Sequence, residues 1–360
     1  MTGLPRSTIL IGDAADRLRE LPDASVDCVI TSPPYFQLRD YGMGKRQIGL
    51  EPTVTAWVDR LQSVLHEVAR VLKPTGSLWL NLADSYSRAP RYGAPPKGLL
   101  LGPERLLLAL AGDGWTVRNK VIWAKPNPMP HSVGDRLNTS YDVVYFLVRS
   151  RHYYFDLDRI RVPHISPTKA RGSGRTSPAS QRPPAWAGPL AGNQSGLRRA
   201  RPDGVPGHWL GKNPGDVWTI ATASFHGAHF ATFPEALVEQ PLLVTCPEAI
   251  CTACDQPWRR RITMRRQGTI SPAGRHSQVR RYPGRWRTFR QIGDLQPCDC
   301  GALTRPGVVL DPFFGTGTVG AVAERFGRDW LGIELSPAYA ELARKRLAAI
   351  QPASGQAIAA

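Results

Sequence analysis

The sequence predicts an α/β fold, a mostly parallel central sheet with helices on both faces, and three observations carry that prediction. Short apolar runs alternate with amphipathic stretches. The runs are near-continuous, as strands covered on both faces require. Pro- or Gly-rich turns follow two of them directly. In chain order, Val26 to Thr31 reads as a strand that ends at Ser32-Pro33-Pro34-Tyr35, since two consecutive prolines cannot continue a sheet ladder. A helix follows over about Val54 to Leu72, then a strand over Ser77 to Leu82 and a helix over about Pro103 to Ala111. Lys120 to Trp123 and Asp142 to Val148 read as further strands. Near the other end, Val308 to Thr318 reads as a strand, a Gly-rich turn and the start of a helix that continues through Val319 to Phe326. Asp329 to Ile333 then forms a strand, and Ser336 caps a helix over Pro337 to Ile350.

Composition bounds the function. A chain of 360 residues holds one large domain with insertions or two domains, and 42% apolar content supports a substantial core. No run approaches the roughly 18 to 20 apolar residues of a membrane span. The N-terminus lacks a basic region followed by a long hydrophobic one, so a cytoplasmic, nucleoid-associated protein with no membrane partner is expected. The net charge is +17, carried by 38 Arg and only 8 Lys, which points to a polyanionic partner.

Two loops carry the chemistry. At Ser32-Pro33-Pro34-Tyr35 the proline carbonyls stand as fixed acceptors at the carboxyl end of a strand, Ser32 adds a third polar atom and Tyr35 an aromatic plane. Such a set grips a planar ring bearing an exocyclic amine; the plainer alternative is a Pro-rich turn after a core strand. Asp311-Pro312-Phe313-Phe314-Gly315-Thr316-Gly317-Thr318 is the second loop, with glycines that allow close backbone approach and a helix start that offers free N–H groups. It lacks the lysine of a P-loop. Glu334, about twenty residues beyond the glycines and at the end of the next strand, is placed to bind both hydroxyls of a ribose.

Together these motifs resemble those of the β-class DNA amino-methyltransferases that use S-adenosylmethionine, the N4-cytosine/N6-adenine family, in which the catalytic motif precedes the cofactor motif in a circularly permuted order. Lesser similarities run through Ile11-Gly12-Asp13-Ala14, Val71 to Trp79, Lys120 to Pro126, Gly215 to Trp218, and His229, Phe230 and Pro234. The resemblance implies a Rossmann-like methyltransferase fold with basic insertions. It implies catalytic roles for Ser32, Pro33, Pro34 and Tyr35. It also implies an S-adenosylmethionine site built from Asp13, Phe230, Pro234, Asp311, Phe313, Gly315, Gly317, Thr318 and Glu334, with Asp311 and the glycine loop on the methionine part. On this reading, residues 1–150 form the catalytic half and 151–214 a basic target-recognition insertion. Residues 215–245 return to the core, 246–304 form a Cys- and Arg-rich insertion, 305–350 the cofactor half and 351–360 a tail. The implied partners are double-stranded DNA and a cognate restriction endonuclease, for a monomer or homodimer.

The insertions have their own signatures. Arg151 to Lys212 holds eleven Arg or Lys against three acids. It reads either as a disordered basic linker, over Lys169 to Arg201, or as a segment that orders on DNA, with Trp186, His208 and Trp209 to pack it or touch bases. Cys251, Cys254, Cys298 and Cys300 bracket Arg259 to Arg290, where eleven arginines occur with no acid, alongside Tyr282, Trp286 and Phe289. Two close Cys pairs predict a structural zinc site that staples a DNA-contacting module, with Cys246 or His276 as substitute ligands. Disulfides are the rival reading and suit a reducing compartment poorly. Cys28 reads as a core residue.

In the implied mechanism the target base rotates out of the duplex and stacks on Tyr35, while Ser32 and the Pro33 carbonyl accept from its amine. Serine at the first motif position resembles the N4-cytosine subgroup; N6-adenine is the alternative, and a non-catalytic DNA-binding regulator on the same fold is a reading of another class.

Overall fold

The computed structural model describes residues 4–163, 208, 210–223, 233–268 and 286–350. In chain order the elements are β1 (Thr8–Ile11), α1 (Ala14–Arg19), β2 (Val26–Thr31), α2 (Val54–Val71), β3 (Leu72–Leu82), α3 (Gly102–Gly112), β4 (Thr116–Ala124), β5 (Tyr141–Val148) and β6 (Val217–Thr219). They continue with α4 (Glu235–Thr245), β7 (Ile250–Cys251), β8 (Arg259–Gly268), β9 (Trp286–Gln296), β10 (Thr304–Arg305), β11 (Val308–Asp311), α5 (Thr318–Arg325), β12 (Asp329–Glu334) and α6 (Pro337–Ala348).

Eight strands form one sheet in the order β1-β12-β11-β2-β3-β5-β4-β6, in which only β5 runs antiparallel to its neighbours. Strand alternation explains why both faces are covered. Leu78, Leu80 and Leu82 of β3, with Tyr145 and Leu147 of β5, pack into the core shared with Leu61, Leu65 and Val68 of α2. The residues between them point the other way: Trp79 stacks on Phe146 at 4.3 Å, and its indole donates to Thr245 of α4 over 3.0 Å. Helices α1, α2 and α3 pack in one series and α4, α5 and α6 in another. Cys28 is fully buried beside Thr245, 3.3 Å away, and burial pushes its thiol up to about 12, as suits a core residue.

Several expected boundaries move. Strand β3 begins at Leu72, which pairs with Val26 of β2, so the Lys73-Pro74-Thr75-Gly76 passage belongs to the strand, with Lys73 reaching Asp27 at 3.0 Å. Ser336 occupies the N-cap of α6, but its side chain makes no cap bond; its N–H donates instead to Glu334 over 2.8 Å.

The chain separates into two compact units. One comprises residues 1–156, 215–259 and 297–360 and contains the sheet; the other comprises residues 157–214 and 260–296. In the second unit Val162 and Lys212 form an isolated bridge, and Arg161 pairs with Asp158 at 2.5 Å. Strands β8 and β9 pair as a separate two-stranded sheet. The expected linker over Lys169 to Arg201, with Trp186, and the aromatic Trp209 and Tyr282 lie outside the described residues, as do the side chains of Trp286 and Phe289. Among the described residues no helix is long and apolar enough to cross a membrane.

Packing around the glycine loop yields a sharp expectation. Phe314 stacks on Trp330 at 5.2 Å, and a Cβ on Gly332 would lie 2.3 Å from its ring. Gly332→Ala is therefore expected to destabilise the fold by about 1–3 kcal/mol through overpacking. Chemical denaturation checks this, and an unchanged midpoint would contradict the packing account.

Candidate active site

One cavity of ≈ 1280 Å³ opens where β2, β3, β4, β11 and β12 end, and both predicted loops line it. Ser32, Pro33, Pro34 and Tyr35 contribute one wall, and Phe313, Gly315, Thr318 and Glu334 another, with Asp13 nearby. Parallel pairing of β2 with β11, through Cys28 with Val309 and Val29 with Leu310, sets the loops side by side.

On the catalytic side the hydroxyls of Ser32 and Tyr35 lie 3.3 Å apart, and Asn81 Nδ2 donates to both, at 3.2 and 3.0 Å. Tyr35 Oη reaches Asp142 at 3.5 Å, and Lys125 Nζ pairs with the other Asp142 oxygen at 2.6 Å. Burial raises the Asp142 carboxyl despite the lysine, and burial followed by the charge of Asp142 pushes the Tyr35 phenol well above its ordinary value. Asn81 is almost fully buried, and its Oδ1 has no hydrogen-bond partner among the described residues. Asn81, Asp142 and Lys125 escaped the sequence analysis as site residues. A polar residue inside Leu78-Trp79-Leu80-Asn81-Leu82, and an acid heading the apolar run Val143 to Val148, were the available signals.

One expectation for the proline loop needs correction. The Pro34 carbonyl does not face the cavity as an open acceptor, because the buried indole of Trp57 donates to it over 3.0 Å. Trp57 thereby pins the loop to α2, and Pro33 supplies the carbonyl left over: among the described residues no protein donor reaches it.

On the glycine-loop side, Gly315 and Gly317 take positive φ values of 53° and 81°, which side chains disfavour. The Gly315 N–H donates to Glu334 over 2.7 Å, so both Glu334 oxygens accept one backbone N–H while the carboxylate still lines the cavity. Burial raises its pKa, against these bonds. Asp311 and Gly317 do not line the cavity. Gly317 packs under the loop, where a Cβ would come 3.1 Å from Ala343, and Asp311 is fully buried beneath it. Asp311 Oδ1 accepts from Thr31 Oγ1 at 2.6 Å and from the Phe313 N–H at 3.0 Å, whereas Oδ2 has no partner among the described residues. Asp13 caps α1 by accepting from Ala15 and Asp16, so its carboxylate is partly committed. Pro234 is the N-cap of α4 and lies off the cavity, which Phe233 lines instead; Phe230 and His229 lie outside the described residues.

The cysteines form a separate cluster. The Sγ atoms of Cys251, Cys254, Cys298 and Cys300 all lie within 4.8 Å of one another, with Cys254 and Cys298 3.7 Å apart. A tetrahedron of thiolates about 2.3 Å from a metal has edges of about 3.8 Å, so the set suits one ion. Cys246 is not a substitute ligand. It is fully buried at the end of α4, where burial raises its thiol well above the ordinary value and its carbonyl accepts from Arg328. His276 lies outside the described residues.

A family model described as DNA methylase, covering N6 and N4 methyltransferases, matches residues 26–249 and 302–345. The chain is 34% identical over 363 residues to the type II methyltransferase M.XycI of Xanthomonas campestris pv. cyanopsidis, covering 95% of this chain and 87% of that protein. It is 32% identical over 363 residues to M.Cfr9I of Citrobacter freundii, with the same coverage of each. Its fold resembles that of the PvuII DNA methyltransferase (cytosine-N4-specific), with a TM-score of 0.54 and 17% identity over 98% of this chain and 89% of that one. The family model skips the segment that holds the four cysteines.

The buried Asp311 carboxyl is pushed up from 3.8 to about 7, chiefly by burial. The folded chain therefore holds a proton that the unfolded chain has released, and stability is expected to fall as pH rises from about 4 to about 7. Asp311→Asn keeps an acceptor for Thr31 and Phe313 and should flatten that slope in ligand-free protein. Thermal unfolding across this window checks it; an unchanged slope would assign the pH dependence elsewhere.

Proposed function

The chain belongs to the N6/N4 DNA methylase family, and we propose that it transfers the methyl group of S-adenosylmethionine to the N4 amine of a cytosine rotated out of double-stranded DNA. The observation that carries this reading is that Ser32 and Pro33 line the same cavity as Gly315 and Glu334. When bound, the cofactor supplies a cationic sulfonium methyl, so no covalent nucleophile is required. Ser32 and Pro33 each accept a hydrogen bond from the amine, which aims the nitrogen lone pair across the cavity. Asn81 holds Ser32 and Tyr35 in register for this by donating to both. The ring would stack on Tyr35; as the amine nitrogen takes the methyl, the sulfur–methyl bond breaks to leave a neutral thioether, and the amine's surplus proton passes to solvent during or after transfer. Across the cavity, the lone pairs of Glu334 left by Gly315 and Ser336 accept from the ribose hydroxyls. Serine at the first motif position favours cytosine over adenine. The type II relatives M.XycI and M.Cfr9I support a role beside a cognate restriction endonuclease.

The four-cysteine cluster is proposed to hold a structural zinc ion. Two ligands precede β8 and two follow β9, so the ion closes the base of the Arg-rich segment where little apolar surface is available.

Labelling unmethylated genomic DNA with methyl-labelled S-adenosylmethionine, then identifying the labelled nucleoside by mass, tests the reaction. N4-methylcytosine is expected; N6-methyladenine would overturn the base assignment, and no label despite DNA binding would favour a non-catalytic regulator. Ser32→Ala and Tyr35→Ala are each expected to lower turnover about 100-fold, through lost positioning, with cofactor binding retained. Turnover near that of the wild type in both would remove the site assignment. Elemental analysis is expected to find about one zinc per chain, and Cys254→Ser should lower both zinc content and melting temperature. A folded, active preparation free of metal would end the zinc proposal.

A further inference from the structure

The segment joining β4 to β5 begins and ends at the catalytic cluster: Lys125 follows β4, Asp142 is the second residue of β5, and the Lys125 N–H closes the base on the Ser140 carbonyl at 2.8 Å. Between these ends the backbone is braced. Pro128 and Pro130 flank Met129, Lys97 pairs with Asp135 at 2.6 Å, the Arg136 guanidinium lies 3.7 Å over the Tyr86 ring, and Asn138 donates to the Met129 carbonyl at 3.5 Å. This braced segment nevertheless displays two large apolar side chains to solvent, Leu137 at 90% and Met129 at 79% exposure.

A single exposed leucine means little on a protein surface. Here the position is informative. Met129 lines the cavity, and Leu137 stands beside Arg136, which also lines it. The same rim carries Arg88, Lys97 and His131, so the apolar tips sit among groups suited to phosphate. A base leaving a duplex for this cavity abandons a stacked, apolar gap, and filling that gap with a side chain offsets part of the unstacking cost.

We propose that Leu137, supported by Met129, enters the duplex as the target base leaves it and occupies the vacated space. Leu137 is thus a positioning residue that acts on the DNA rather than on the reacting atoms. The inference rests on the base-rotating methyltransferase reading above, and its partner is double-stranded DNA.

The test uses the full-length protein and a duplex oligonucleotide carrying a site that the wild type methylates, mapped from its labelled product. Single-turnover rates are compared on the paired duplex and on one with an abasic position opposite the target. Leu137→Ala is expected to slow methylation of the paired duplex about tenfold or more, and to approach the wild-type rate on the abasic duplex, where unstacking costs less. Leu137→Met should retain most activity on both, and cofactor affinity should stay unchanged in every variant. An equal loss on the two duplexes would overturn the proposal, since a folding or cofactor defect is blind to the opposite base. Full activity of the Leu137→Ala/Met129→Ala double variant on the paired duplex would also overturn it. The underlying reading fails differently: wild-type protein that labels no DNA removes both.

Discussion

Thr31 Oγ1 donates to Asp311 Oδ1 across 2.6 Å, in a buried bond between the ends of two parallel neighbouring strands, and the rest of the site is arranged around it. Parallel neighbours release their chains at the same edge of a sheet, where ligands of open α/β sheets bind. Thr31 is followed at once by the Ser-Pro-Pro-Tyr loop and Asp311 by the glycine loop, so one pairing brings the two loops together at one cavity. The outer neighbours extend the same logic. Strand β12, parallel to β11, ends at Glu334, and β3, parallel to β2, brings Asn81 to that edge. Strand β5 runs antiparallel, so its beginning rather than its end arrives there, carrying Asp142, and β4 returns to finish just before Lys125.

That geometry explains which parts of the site were legible in the sequence. Both loops are contiguous, and each departs from its strand with residues of distinctive backbone behaviour, two prolines that fix φ in one and two glycines that tolerate positive φ in the other. Glu334 was legible because its distance from the glycines follows from one helix and one strand. Asn81, Asp142 and Lys125 were not, since each is an ordinary polar residue whose role depends on strand order and direction. The fate of the Pro34 carbonyl was hidden for the same reason, because its donor is Trp57 on α2. The cysteine cluster was legible from its spacing alone, whereas excluding Cys246 required knowing that it ends a helix inside the core.

Electrostatics give the cavity a distinct character on each side. Asp311 and Glu334 are both raised by burial, and Glu334 adds to the upward push on Asp311, so the cofactor side holds desolvated carboxyl groups that disfavour one another's charge. A positively charged ligand relieves that opposition, and S-adenosylmethionine carries a sulfonium and an ammonium. The catalytic side is balanced internally instead, with Lys125 against Asp142. The polar atoms that Ser32 and Pro33 offer there are a neutral hydroxyl and a neutral carbonyl, so this side does not bind a cation strongly.

The same catalytic strand is held from its other end by charge. Asp27 of β2 is buried, and its carboxylate lies 3.0 Å from Lys73 and 3.1 Å from Arg305. Both cations also reach Asp255, the residue after Cys254, with Arg305 at 2.7 Å. Two carboxylates thus face two cations in a closed network, which compensates the desolvation that either buried charge alone would suffer. Removing one member would strand its partners, so the network anchors Asp255, and the cysteine cluster beside it, against β2 and β3. Fixing it there sets Cys254 and Asp255 beside the strand that ends at Thr31. The register of the sheet therefore governs the Ser-Pro-Pro-Tyr loop at one end and the footing of the cysteine cluster at the other.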